Sequence, residues 1–251
     1  MIEILGAAGL LAFCVSSVAV GVRLLRLGRR TREIPELAIG AGFVVGVVVG
    51  YVPETIVLSS DLLSAVSEKL VLGVTQVAIR LAALSILIFT WRVFRAQESW
   101  AAGLAGLLTV ALLASYLVFP ATRIYAATAT DRIWYDVFAV ARTACLAWGG
   151  VESLIYYRGA RRRLRLGLAD PMVTNRFLLW GIGLTAIAIL MGTTLWASAL
   201  GVDPTVAGWI LLESLLGLVG AVSIWLTFFP PAAYRRLVTA RAATDADDGR
   251  S

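Results

Sequence analysis

The sequence predicts an all-α membrane protein, a bundle of seven transmembrane helices, and three observations support this fold class. Of the 251 residues, 59% are hydrophobic and only 15% are charged, whereas about a quarter of the residues in a soluble domain are charged. The mean hydropathy is +0.85. Seven apolar runs follow one another along the chain, and each approaches the roughly 20 residues that one helical crossing of a bilayer requires.

The apolar runs define the expected spans and the domain organisation. The runs cover residues 4–24, 37–58, 70–91, 101–118, 134–156, 177–200 and 206–229. Together they form one domain, residues 1–237, and the connections between them are too short for a soluble output domain. The polar remainder, residues 238–251, is expected to be a disordered tail.

Prolines mark several helix boundaries and suggest an internal repeat. Pro35 and Pro171 lie near the starts of the second and sixth runs, where a missing N–H costs nothing. Pro53 is expected to kink or end the second helix. An arginine cluster precedes both Pro35 and Pro171, which suggests two three-helix units joined by a fourth helix. The alternative is that such clusters are common to any cytoplasmic loop.

The distribution of the 22 basic residues predicts an orientation. Alternate connections are rich in arginine, so that 17 basic residues lie on one side, 3 on the other and 2 inside apolar runs. The positive-inside rule then places the N-terminus outside and the C-terminus in the cytoplasm, which requires an odd number of spans. Arginines confined to short loops favour a multi-pass protein of the cell membrane over a nucleic-acid-binding protein.

Three glycines in the second run, Gly42, Gly46 and Gly50, recur every four residues and therefore share one helix face. Small residues at this spacing allow the backbones of two membrane helices to approach closely. We expect this face to pack inside the bundle. A homo-oligomer formed through the second helix is the alternative.

Five ionisable residues, Arg80, Arg142, Glu213, Glu54 and Asp136, fall within the outer half of the predicted bundle. A charge in hydrocarbon costs roughly 2.5–3.5 kcal/mol on insertion scales, so it normally has a partner or a function. We expect Arg80 to pair with Glu213, and Arg142 to pair with Glu213 or Glu54. Asp136 is expected to pair with Arg132, one turn earlier on its helix.

Polar and aromatic residues accompany these charges at helical spacing. Gln76 lies one turn before Arg80, Tyr51 lies beside Glu54, and Trp209 lies one turn before Glu213. Tyr116, Thr193 and Thr194 lie near the same ends of their helices. These residues are expected to line a polar cup that binds a small molecule or an ion. The alternative is that the ion pairs only stabilise the bundle. Glu152 is expected to be solvated or paired with loop arginines.

Seven spans, an outside N-terminus, an arginine in the third helix and a carboxylate in the seventh resemble the microbial rhodopsins. More broadly, they resemble the seven-helix transporter, opsin and receptor-like group. The resemblance is one of topology, and rhodopsins bind retinal covalently through a lysine in the seventh helix. The seventh run contains no lysine, and the single lysine of the chain is Lys69. The sequence therefore predicts no retinal and no other cofactor.

The composition also restricts the function. The chain has no histidine, which excludes Ser-His triads and histidine-ligated metals or haem. We expect a non-enzymatic receptor or sensor with a polar small-molecule pocket in the outer half. The alternatives are a small transporter or channel that uses Glu213 and Glu54 to bind a cation or proton, and an accessory or scaffold protein. A carboxylate-only enzyme is a further alternative.

Overall fold

A computed structural model describes residues 2–59, 63–118, 129–200 and 207–248, and all of the regular structure within these ranges is helical. The helices are α1 (Ile2–Thr31), α2 (Ile34–Val45), a π-helical segment (Gly46–Tyr51), α3 (Val52–Ser59), α4 (Ala65–Phe94), α5 (Ser99–Val118), α6 (Ala129–Arg165), α7 (Pro171–Leu200), α8 (Ala207–Phe228) and α9 (Ala232–Asp248). The predicted all-α class is confirmed.

Seven helices of the described part are long and apolar enough to cross a membrane, as the sequence predicts. The second of them is α2, the π-helical segment and α3 taken together, which run on as one helix. Most helices extend beyond the predicted apolar runs, because polar residues at a membrane surface continue the backbone ladder. For example, α6 continues to Arg165, nine residues past the predicted run. The chain is therefore a multi-pass membrane protein.

The seven spans form a closed ring in chain order. Each contacts the next, from α1 through α2, α4, α5, α6, α7 and α8, and α8 packs back against α1. In addition, α4 contacts α6, which is not its neighbour in the ring. One buried apolar cluster joins α1, α2, α6, α7 and α8, with Trp180 and Ile224 among its members. A second cluster, which includes Phe138 and Leu112, joins α4, α5 and α6.

The two ends of the bundle differ in charge. We call the end that carries the connections 32–33, 95–98, 166–170 and 229–231 the arginine-rich end, and the other the opposite end. At the arginine-rich end, Gly167 closes α6 with a positive φ of 70°, and Asp170 caps α7 by accepting a hydrogen bond from the Val173 N–H at 2.8 Å.

The structure differs from the sequence-based prediction in the C-terminal tail. The sequence predicts disorder over residues 238–251, whereas α9 runs from Ala232 to Asp248. Its first part packs against α6 and α7. Alanine and arginine, which recur through this segment, are among the strongest helix formers, so helical propensity outweighs the polar composition here.

The glycine face of the second span packs inside the bundle. Gly42, Gly46 and Gly50 are buried against α4. A Cβ atom added at Gly46 would lie 2.6 Å from the Cβ of Ala82, and one added at Gly42 would collide with Ser85. These glycines are therefore covered by α4, and this face is not available to a second copy of the chain.

The π-helical segment precedes Pro53 directly. In an α-helix the ring of Pro53 would clash with the carbonyl of Val49, and that carbonyl would lose its hydrogen-bond donor. The structure relieves this by widening the turn, so that the Val52 N–H donates to the Val47 carbonyl, five residues earlier. Tyr51, the last residue of the segment, is half-buried.

Candidate functional site

Arg80 lies at the centre of α4 and is 5% exposed. Among the described residues, its guanidinium donates to neutral oxygens, which include the Leu112 carbonyl at 3.1 Å, the Gln76 carbonyl at 3.1 Å and the Gln76 Oε1 at 2.9 Å. A longer hydrogen bond of 3.4 Å reaches the Ser115 hydroxyl. The predicted ion pair with Glu213 is not formed. The reason is that the facing helix α5 supplies carbonyl and hydroxyl oxygens at the depth of Arg80.

Gln76 joins the arginine to a carboxylate. Its side-chain amide accepts from Arg80 through Oε1 and donates through Nε2 to Glu54 Oε1 at 2.6 Å. Glu54 is held in place because it belongs to the first turn of α3, just after the π-helical segment. The result is a polar chain, Glu54–Gln76–Arg80, that crosses from the second span to the third.

The two interior arginines share one aromatic ring. The guanidinium carbon of Arg80 lies 3.9 Å from the centroid of the Phe138 ring, and that of Arg142 lies 5.0 Å from the same centroid. Arg142 also donates to the Tyr51 hydroxyl at 3.5 Å. Among the described residues, nothing accepts a hydrogen bond from the buried Nε of Arg142. Cation–π contact with Phe138 therefore contributes to the stabilisation of both cations.

Glu213 faces a cavity of about 310 Å³, which we call the Glu213 cavity. The Trp209 indole N–H donates to Glu213 Oε1 at 3.0 Å, one helical turn away. The described residues that line the cavity are Gly9, Phe13, Tyr51, Ile187, Leu190, Met191, Ile210, Glu213, Ser214 and Gly217. They come from α1, the π-helical segment, α7 and α8, at the opposite end of the bundle.

A smaller void of about 60 Å³ adjoins the Glu213 cavity. Phe13, Tyr51 and Ile187 line both spaces, and Arg142 lines only the smaller one. The Tyr51 side chain therefore stands between a carboxylate on one side and a guanidinium on the other. Tyr51 is the last residue of the π-helical segment, two residues before Pro53.

The remaining predicted site residues take other positions. In the described part of the chain, neither Glu54 nor Glu213 lies within 4 Å of Arg142 as an ion pair. Asp136 is half-buried, and its predicted partner, the Arg132 side chain, lies outside the described residues. The Thr194 side chain also lies outside the described residues. Thr193 donates to the Leu190 carbonyl on its own helix. Tyr116 lies over Arg80, with 5.3 Å between the ring centroid and the guanidinium carbon.

Glu152 forms an ion pair with Arg95, and it is the ion pair found within 4 Å among the described residues. Arg95 Nε lies 3.0 Å from both carboxylate oxygens of Glu152, and the Trp148 indole N–H adds a hydrogen bond of 3.2 Å. Hydrogen bonding to this carboxylate raises the pKa of Arg95 above its usual value. The pair joins the connection after α4 to α6 at the arginine-rich end, away from both cavities.

The Glu213 cavity combines a few polar groups with apolar walls. A carboxylate, a phenol and the Ser214 hydroxyl face mainly apolar walls, an arrangement common in small-molecule sites. The Ser214 hydroxyl is already donated to the Ile210 carbonyl at 2.7 Å. Within the described ranges, no cluster of three or more Cys, Asp or Glu residues could hold a metal ion.

Comparisons with protein-family models, with curated proteins and with solved structures give no match. The function proposed below therefore rests on the geometry of the site and on the sequence.

Proposed function

We propose that the chain is a non-enzymatic, receptor- or sensor-like protein of the cell membrane that binds a small molecule in the Glu213 cavity. Its N-terminus faces outward and its arginine-rich end faces the cytoplasm, in keeping with the positive-inside rule. The cavity then opens from the outer half of the bundle. The observation that carries the proposal is the cavity itself, which combines a carboxylate and a tyrosine hydroxyl with apolar walls.

The size and chemistry of the cavity favour a particular class of ligand. Its volume of about 310 Å³ lies at the small end of the range of roughly 300–1,000 Å³ that is usual for ligand pockets. Glu213 accepts hydrogen bonds, and the Phe13, Ile187 and Leu190 side chains offer apolar contact. The ligand is therefore a compact amphiphile with a cationic or hydrogen-bond-donating head group.

The experiment compares three probes of equal chain length on the full-length protein in lipid nanodiscs. n-Hexylamine carries a cation, n-hexanol a neutral hydroxyl and hexanoate an anion. We expect hexylamine to raise the melting temperature most and hexanoate least, because the amine offers Glu213 both a positive charge and hydrogen-bond donors, hexanol offers one neutral donor, and hexanoate is repelled by the carboxylate. We also expect Glu213→Gln to abolish the preference for the amine. Equal shifts from all three probes would contradict the proposal.

A small transporter is the second candidate, and the π-helical segment favours it. Interrupted helices line the binding sites of many transporters, and here the interruption lies one turn from Glu54 and places Tyr51 at the Glu213 cavity. Glu54 and Glu213 would then bind a proton or cation. Flux measurements in proteoliposomes separate the two functions, because a sensor carries no net flux of the molecule that it binds.

The two-unit repeat remains a prediction of the sequence. The second and sixth spans both have a proline in their first turn, Pro35 in α2 and Pro171 in α7. The π-helical widening belongs to the second span, whereas α7 is α-helical from Pro171 to Leu200. If the two units share an origin, this difference between them arose with Pro53.

A further inference from the structure

A second cavity lies at the arginine-rich end, on the other side of the bundle from the Glu213 cavity. It is a cleft of about 390 Å³ between α6, α7 and α9, which we call the α9 cleft. The described residues that line it include Arg161 and Leu164 of α6, Leu178 of α7, and Leu237, Val238 and Arg241 of α9. The proposed function makes no use of this cleft.

A side-chain hydrogen bond joins two walls of the α9 cleft. The Asn175 side-chain amide on α7 donates to the Tyr234 hydroxyl on α9 at 3.0 Å, and the Tyr234 oxygen lies 3.3 Å from Asn175 Oδ1. This contact lies near the start of α9 and fixes the helix against the bundle. The wall that α9 provides is therefore a defined part of the fold.

The charged residues among the described lining of the cleft are both arginines. Arg161 on α6 and Arg241 on α9 reach it from different helices, and none of its described lining residues is acidic. The neighbouring carboxylate, Asp170, already accepts the Val173 N–H as the cap of α7. Two arginines presented by separate helices can bind one phosphate group, because each guanidinium has several N–H donors in a plane.

The apolar part of the cleft distinguishes between sources of phosphate. Leu164, Leu178 and Val238 line it beside the arginines, and Leu237 is 68% exposed. An exposed leucine next to arginines at the end of a membrane-spanning bundle is suited to contact with acyl chains while the cations contact head groups. A free phosphate ion would leave these apolar side chains without a partner.

We propose that the α9 cleft binds the phosphate head group of an anionic phospholipid, with Arg161 and Arg241 as its cationic ligands and the leucine-lined wall against its acyl chains. The site is independent of the Glu213 cavity. It would place α9 as a lipid-sensitive element on the face formed by α6 and α7.

The test uses the full-length chain in nanodiscs of phosphatidylcholine alone or of phosphatidylcholine with phosphatidylglycerol. Native mass spectrometry counts the phosphatidylglycerol molecules retained, and titration gives their affinity. The double variant Arg161→Gln/Arg241→Gln is compared with a matched control, Arg29→Gln/Arg30→Gln. The control removes the same charge from exposed residues of α1 at the same end of the bundle.

Surface attraction to an anionic bilayer amounts to about 1 kcal/mol per arginine, or roughly fivefold in affinity each, and both double variants lose it equally. We expect the cleft variant to lose about tenfold more affinity than the control. Equal losses would overturn the proposal, because the arginines would then act only through the surface potential. A thermal shift produced by inorganic phosphate in phosphatidylcholine nanodiscs, with no shift from phosphatidylglycerol, would also overturn it.

Tyr234→Phe provides a second, uncharged perturbation. It removes the hydroxyl that contacts Asn175 and leaves both arginines in place. We expect phosphatidylglycerol affinity to fall severalfold, because the wall formed by α9 is no longer fixed. Unchanged affinity in this variant, together with equal losses in the two arginine doubles, would show that no built cleft exists.

Discussion

Gly42→Ala tests the close contact between the second and third spans, which positions Tyr51 and Glu54. A Cβ atom added at Gly42 would lie 2.6 Å from the Cβ of Ser85 and closer still to its hydroxyl oxygen. Real Cβ atoms do not approach so closely, so α2 or α4 must shift. Overpacking of this kind costs about 1–3 kcal/mol in the free energy of unfolding.

A matched control isolates this packing contribution. Gly103 lies on α5, and a Cβ atom added there meets nothing within 4 Å. Both substitutions gain about 0.5–1 kcal/mol from the higher helix propensity of alanine, and this gain cancels when the two variants are compared. We therefore expect Gly42→Ala to be less stable than Gly103→Ala by about 1–3 kcal/mol.

The assay is unfolding in mixed micelles of increasing denaturing detergent, followed by tryptophan fluorescence. Ser85→Gly in the Gly42→Ala background should restore most of the lost stability, because it removes both atoms that the new methyl group meets. Equal stability of the two alanine variants would refute the packing of α2 on α4. So would a loss of dimer crosslinking in Gly42→Ala at unchanged stability, since the glycine face would then contact a second copy.

Two further substitutions test the polar contacts. Glu152→Gln should lower the unfolding free energy by about 1–3 kcal/mol, because it weakens three hydrogen bonds of a largely buried carboxylate whose partner, Arg95, is 29% exposed. A double-mutant cycle with Arg95→Gln checks this, and independent effects of the two substitutions would contradict the ion pair. Gln76→Leu should cost about 1–3 kcal/mol by leaving Glu54 and Arg80 each without one partner. Gln97→Leu, at an exposed turn, is the control, and an equal effect in both variants would argue against the polar chain.

The spans were predictable because each apolar run is a local property of the sequence, and a stretch of about 20 apolar residues has few alternatives to crossing a bilayer. The position of Arg80, Arg142 and Glu213 inside helices that can cross a membrane was also predictable, because each falls within an apolar run. That they serve a function stays a prediction. The inward position of the glycine face follows from the same kind of local spacing.

The partners were not predictable from these signals. The sequence favoured an ion pair between Arg80 and Glu213, but Arg80 contacts the carbonyl of Leu112 and the ring of Phe138. A backbone carbonyl leaves no mark in the sequence. Phe138 does give a sequence signal, because it precedes Arg142 by one helical turn. The same spacing is equally typical of an ordinary core residue.

Distortion and helix propensity account for the other differences. Pro53 indicated a kink or an end in the second helix, and the structure shows that the helix instead widens over Gly46–Tyr51 and continues. The widened segment packs along α4. The sequence does not indicate α9 clearly, because the polar composition of this segment is typical of a disordered tail, whereas its alanines favour a helix.

The proposed function requires that the Glu213 cavity binds a ligand. A substitution that fills the cavity with a side chain tests this requirement. Gly217 lines the cavity, and a Cβ atom added there meets nothing within 4 Å, so Gly217→Leu should place its side chain in the cavity without disturbing the fold. Gly208→Leu is the control, because Gly208 lies on the same helix, is exposed and is also unobstructed.

The measurement is calorimetric titration of n-hexylamine into each protein in nanodiscs, with empty nanodiscs subtracted. We predict saturable binding to the wild type and to Gly208→Leu, and an affinity at least tenfold lower for Gly217→Leu. The same saturable binding in all three proteins would contradict the claim, because the amine would then be bound elsewhere.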